Sequence, residues 1–86
     1  MEELYTNYFQ GSVEFKTKNP FLVWAREAAG LTAKKAAKRI GIAYQLFINY
    51  ENVRDYPSEE TQRKICDFYR RKGIFLFEDD VFPQEL

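Results

Sequence analysis

The chain has 86 residues, 45% hydrophobic and 30% charged, which is enough for one small domain and too rich in apolar side chains for a disordered one. It has no histidine and one cysteine, Cys66, which excludes an internal disulfide, a Cys/His zinc site and Ser-His or Cys-His catalysis; no enzyme, metal or cofactor is expected. Charge is balanced at thirteen basic and thirteen acidic residues, but all thirteen basic ones lie between Lys16 and Lys72 beside only six acids, a net +7, against −3 in residues 1–15 and −4 in residues 73–86, a distribution that attracts polyanions to the centre.

Residues 1–19 read as an N-terminal arm. Leu4, Tyr5, Tyr8 and Phe9 are apolar, Gly11 and Ser12 interrupt them, and Val13, Phe15 and Thr17 alternate with charged residues as in an extended segment. Asn19-Pro20 is a helix start: Asn as N-cap, Pro at the first helical position, where its missing N–H costs nothing. The helix is predicted over 20–29, with Phe21, Leu22, Trp24, Ala25 and Ala28 as inner face and Gly30 ending it. Thr32 caps a second helix over 33–40, with Ala36, Ala37 and Ile40 inward and Lys34, Lys35, Lys38 and Arg39 outward. Gly41 ends it, and a third helix is predicted over 44–52. Ala37 is small enough for these two short helices to approach closely, and Ile42 and Phe47 plug their joint.

Ser58 caps a fourth helix over 59–72, where Glu59 and Glu60 complement the positive end and Arg70, Arg71 and Lys72 the negative one. Thr61, Ile65, Phe68 and Tyr69 are its predicted buried face. Ile74-Phe75-Leu76-Phe77 reads as a short strand-like tail, followed by an acidic end broken by Pro83. Trp24, Cys66 and the phenylalanines are assigned to the core, with Phe75 and Phe77 alternatively at a dimer seam. The organisation is thus an arm (1–19), a helical domain (20–73) and a tail (74–86) suited to dimerisation. No apolar run approaches a membrane span, Glu2 and Glu3 do not fit a signal peptide, and a lone thiol fits the cytoplasm, the expected location.

Gly30-Leu31-Thr32, then Lys38-Arg39-Ile40-Gly41-Ile42, then Tyr50-Glu51-Asn52 and Tyr56-Pro57-Ser58 together resemble the Cro/repressor-type helix-turn-helix family of phage and bacterial transcriptional regulators, across some fifty residues from Pro20 to Tyr69. The resemblance implies a mainly α fold: a four- to five-helix bundle of the lambda-repressor-like DNA-binding type, here with an extended arm and a strand-like tail. It implies double-stranded DNA as partner, and a homodimer that reads a pseudo-palindromic operator with the third helix in the major groove. The implied base-contacting positions are Tyr44, Gln45, Ile48 and Asn49; the implied phosphate contacts are Lys34, Lys35, Lys38, Arg39, Asn52 and Arg54. Arg26 and Glu51 match a structural salt bridge between the first and third helices. Gln45 and Asn49 are four apart, hence on one helical face, and each amide offers the donor and acceptor that suit adenine.

The chain also departs from that pattern. Ala33 stands where a phosphate-binding Gln is usual, Ala36 where a large aliphatic is usual, and Val53 where a glycine follows the third helix. Ala43 replaces a Ser or Thr cap, at a cost of about 1 kcal/mol. Leu46, Phe47 and Ile48 run consecutively, and a 3.6-residue period cannot turn all three inward. The others contact DNA methyl groups or pack on the arm, the tail or a second chain. They motivate an alternative: a helix-turn-helix-shaped protein-interaction module (an anti-repressor, an antitoxin-like module or a modulator of a polymerase or DNA complex) whose protein partner docks on the arm, the tail or the apolar third helix.

Overall fold

Capping side chains mark where three of the helices begin. A computed structural model describes residues 18–83; residues 1–17 of the arm predicted over 1–19, and the last three residues, lie outside them. The described residues form five helices, α1 (Pro20–Ala28), α2 (Ala33–Ile40), α3 (Tyr44–Glu51), α4 (Glu59–Arg70) and α5 (Glu78–Val81). Asn19 Oδ1 accepts from the N–H groups of Phe21 and Leu22 at 3.1 and 3.3 Å. Thr32 Oγ1 accepts from Lys35 at 3.1 Å, and Ser58 Oγ from Thr61 at 3.2 Å. Each satisfies a donor that the first helical turn leaves without an intrahelical partner. Gly41 ends α2 at φ +93°, a left-handed conformation that glycine adopts without steric cost, and the Ile42 N–H closes back on the Ala37 carbonyl at 3.0 Å.

One core joins all five helices. Leu22 and Ala25 of α1, Ala36, Ala37 and Ile40 of α2, Phe47 and Tyr50 of α3, Ile65, Cys66 and Tyr69 of α4, and Leu76, Val81 and Phe82 of the C-terminal segment are all buried. The small residues at 36 and 37 bring α2 close to its neighbours, and the aromatic rings of Phe47 and Tyr69 fill the volume between helices. Gln62 is a polar member of the interior, only 7% exposed, with its Nε2 donating to the Pro57 carbonyl at 3.0 Å. No helix among the described residues is long and apolar enough to cross a membrane.

Three expectations are corrected. The inner face of α1 is narrower than predicted: Phe21 and Trp24 are 44% and 56% exposed, and Ala28 is exposed as well. Arg26 must face Glu51, and at 100° per residue that rotation carries positions 22, 25 and 29 inward and 21, 24 and 28 outward. The buried face of α4 is Gln62, Ile65, Cys66 and Tyr69, with Thr61 and Phe68 only half-buried. The tail is no strand. Ile74–Phe77 is irregular, no described strand lies beside it to pair with, and the next four residues form α5. Leu76 is buried while Phe75 and Phe77 point away at 70% and 55% exposure, so these two rings are not core.

Candidate nucleic-acid interface

A helix advancing 100° per residue puts Phe47, Tyr50 and Glu51 on one face of α3 and Gln45 and Asn49 on the other. Phe47 is fully buried, and Tyr50 and Glu51 are 8% and 3% exposed. Leu46 and Ile48 each sit 100° from Phe47 on opposite flanks, which resolves the apolar triplet: Leu46 is exposed and Ile48 half-buried. Tyr44 and Gln45 are exposed, Asn49 is half-buried, and Gln45 Nε2 donates to Asn49 Oδ1 at 3.1 Å. The outer face of α3 therefore carries two amides joined to each other, edged by Tyr44, Leu46 and Ile48.

The inner face is tied down by charge. Arg26 of α1 grips Glu51 of α3 in a two-pronged pair, Nε to Oε2 at 2.7 Å and Nη2 to Oε1 at 3.2 Å, while Nη1 donates to the Leu31 carbonyl at 3.2 Å. The Glu51 side chain is 4% exposed and that of Arg26 20%, so the fork geometry of the guanidinium satisfies a carboxylate with little access to water. The hydrogen bond to Glu51 raises the pKa of Arg26 further, against the effect of burial. The Tyr69 hydroxyl is buried without a hydrogen-bond partner among the described residues; burial and then the Glu51 carboxylate push its pKa up. Asn19 adds a backbone tie, its N–H donating to the Glu51 carbonyl at 2.7 Å.

The end of α3 carries strain. Val53 N–H bonds to the Tyr50 carbonyl and Arg54 N–H to the Asn49 carbonyl, at 3.3 and 2.8 Å. This is the paired pattern that closes a helix through a left-handed residue. That residue is Val53, at φ +56°. At the other end, Ala43 makes no side-chain cap.

Lys34, Lys35, Lys38 and Arg39 are exposed along the outer side of α2, and Arg54 is exposed beyond α3. Asn52 is half-buried at the α3 C-cap, about 10 Å along the axis from Gln45. The structure thus brings Gln45 and Asn49 together, while Asn52 and Arg54 stay at the far end of the helix. The sequence analysis missed three side chains. Lys64 of α4 donates to the Gly41 carbonyl at 3.3 Å and so places a cation at the α2–α3 turn. Asn19 Nδ2 donates to the Val81 carbonyl at 2.9 Å. Arg70, read as a helix-end charge, instead bonds Asp67, the Leu76 carbonyl and both oxygens of Glu78. All but the Asp67 bond are tertiary choices without a local signal.

These ties lock the C-terminal segment beneath the domain. The Tyr56 hydroxyl donates to the Phe82 carbonyl at 2.7 Å, and Glu78, bonded to Arg70, has its carboxyl held below the usual range. Burial pushes the Cys66 thiol up to about 11.

The family model described as a helix-turn-helix domain matches residues 21–73, essentially the span from α1 through α4. No curated protein and no solved structure matches the chain.

Proposed function

Because the chain belongs to the helix-turn-helix domain family, we propose that it is a sequence-specific, repressor-like transcriptional regulator that binds double-stranded DNA as a homodimer on a pseudo-palindromic operator. The carrying observation is the division of α3. Phe47, Tyr50 and the paired Glu51 hold one side in the core, leaving Gln45 and Asn49 outward on the other. Such a helix fits the major groove, with base edges met by Tyr44, Gln45, Ile48 and Asn49. Lys34, Lys35, Lys38, Arg39, Asn52 and Arg54 supply phosphate contacts, which carry affinity without sequence information. One module covers a half-site, so a two-fold partner is required, and the exposed rings of Phe75 and Phe77 are the apolar surface assigned to that seam.

The test is selection of preferred sites from a random duplex pool followed by affinity measurement. Gln45→Ala and Asn49→Ala should each weaken the selected site by about 1–3 kcal/mol while scarcely changing binding to random duplex. Equal losses on both would place the reading face elsewhere. A second reading, a protein-docking α3, is favoured by Leu46, 40% exposed beside the amides. Duplex binding that is absent at low salt would support it over the first.

A further inference from the structure

We propose that the outer face of α1 is a docking site for residues 1–17 of the same chain, which seat there through Leu4, Tyr5, Tyr8 and Phe9. Pro20, Phe21, Trp24 and Ala28 fall within about 100° of arc on that helix, and all four are exposed. Pro20, Phe21 and Trp24 line a shallow groove of about 380 Å³, and no other described residue lines it. Its two aromatic rings are 44% and 56% exposed. Rings side by side in water forgo the burial that makes such side chains favourable in a small domain.

Area, tether and charge select the occupant. Half of two rings that bury about 150–250 Å² each is roughly 200 Å², against the about 800 Å² that each partner gives to a stable dimer. The groove is therefore too small to hold a second copy and suits a short segment of its own chain. Asn19 is fixed by its N–H to the Glu51 carbonyl and its Nδ2 to the Val81 carbonyl, at 2.7 and 2.9 Å. The preceding residues thus leave the domain next to Phe21, and Trp24 lies only about 7.5 Å along the axis from that root. Residues 10–18 join Phe9 to Asn19 and span up to about 30 Å when extended, enough to reach the whole stripe from Pro20 to Ala28, about 12 Å long. Such a tether holds its ends at about millimolar effective concentration, above that of a second copy in a dilute sample, and Gly11-Ser12 within it suits a chain reversal. The first turn of α1 has no acidic residue, whereas α4 and α5 begin with Glu59-Glu60 and Glu78-Asp79-Asp80. Residues 1–15 carry −3 and supply the negative charge that the positive end of α1 lacks.

The test uses the full chain without DNA, so its outcome does not depend on what α3 binds. Trp24 is the only tryptophan, and its fluorescence reports on the groove. In wild-type protein its emission should be blue-shifted and weakly quenched by acrylamide. Tyr8→Ser combined with Phe9→Ser should move the emission to the red and raise the quenching constant about twofold, because it uncovers a ring that the helical domain leaves 56% exposed. Thr6→Ser combined with Asn7→Ser should change neither, and far-UV circular dichroism checks that the helices persist in each variant. From the opposite side, Trp24→Ser should speed chymotryptic cleavage after Tyr8 and Phe9 severalfold, because the groove no longer holds them. Wild-type quenching equal to that of the Tyr8 and Phe9 variant, or cleavage unchanged by Trp24→Ser, would overturn the proposal. Protection of Trp24 that disappears on dilution would assign the groove to a second copy and overturn it as well.

Discussion

Among the described residues, Val53 is the non-glycine whose backbone is left-handed. A β-branched residue in the left-handed region costs about 1–2 kcal/mol, and Val53 is 55% exposed, so packing offsets little of it. Val53→Gly should raise stability by about 1 kcal/mol in thermal or denaturant unfolding, and Val53→Asn by less, because asparagine tolerates that region while keeping a Cβ. A loss of stability in Val53→Gly would mean that the valine side chain is packed against something that outweighs the strain. The mismatch was visible in the sequence as a valine where a glycine is usual, but only the structure shows it at φ +56°.

Between elements, the Arg26–Glu51 pair sets the rotation of α1 and the depth of α3. Removing the arginine alone leaves Glu51 buried and unpaired, so Arg26→Ala should cost about 3 kcal/mol. Arg26→Met combined with Glu51→Leu should cost less than Arg26→Ala alone, measured as a denaturant-unfolding cycle. A second latch joins α4 to α5 through Arg70, whose hydrogen bonds, and then its charge, hold the carboxyls of Glu78 and Asp67 below their ordinary values of 4.5 and 3.8. Carboxylates depressed in the folded state stabilise it above those ordinary values, and the contribution disappears as pH falls through the lower folded-state values. Wild-type protein should therefore melt at a higher temperature than Glu78→Gln at neutral pH, with the gap narrowing once pH drops below about 4.5. A gap that stays constant down to pH 2 would show that the latch carboxylate contributes no linked proton.

Across the whole molecule, charge is arranged by region: cations on α2, at the turn and after α3, acids on the C-terminal segment. If the basic face meets the phosphate backbone, Lys34→Ala with Lys38→Ala should weaken binding about equally on selected and random duplexes. It should also lower the slope of log affinity against log salt by about two, roughly one per lost phosphate contact. An unchanged slope would remove these lysines from the interface. The C-terminal segment is not a free tail: Leu76, Val81 and Phe82 complete the core of their own chain, and the large apolar side chains it leaves exposed among the described residues are Phe75 and Phe77.

Local chemistry alone determined the caps at Asn19, Thr32 and Ser58, the glycine turn at Gly41 and the inward triplet Ala36, Ala37 and Ile40, because those features depend on neighbours within one or two helical turns. The positions of Gln45 and Asn49 on a shared face were legible for the same reason. Tertiary packing decided the rest. Trp24 faces outward because Arg26 has a partner 25 residues away, and Phe47 is the fully buried member of its triplet because it shares the face of α3 that Tyr50 and the paired Glu51 hold in the core. Four residues of the tail, Glu78–Val81, are helical, and its described part is latched because Arg70, Asn19 and Tyr56 hold it. Those partners lie up to 62 residues apart in sequence, and no periodicity along the chain encodes which distant groups will meet.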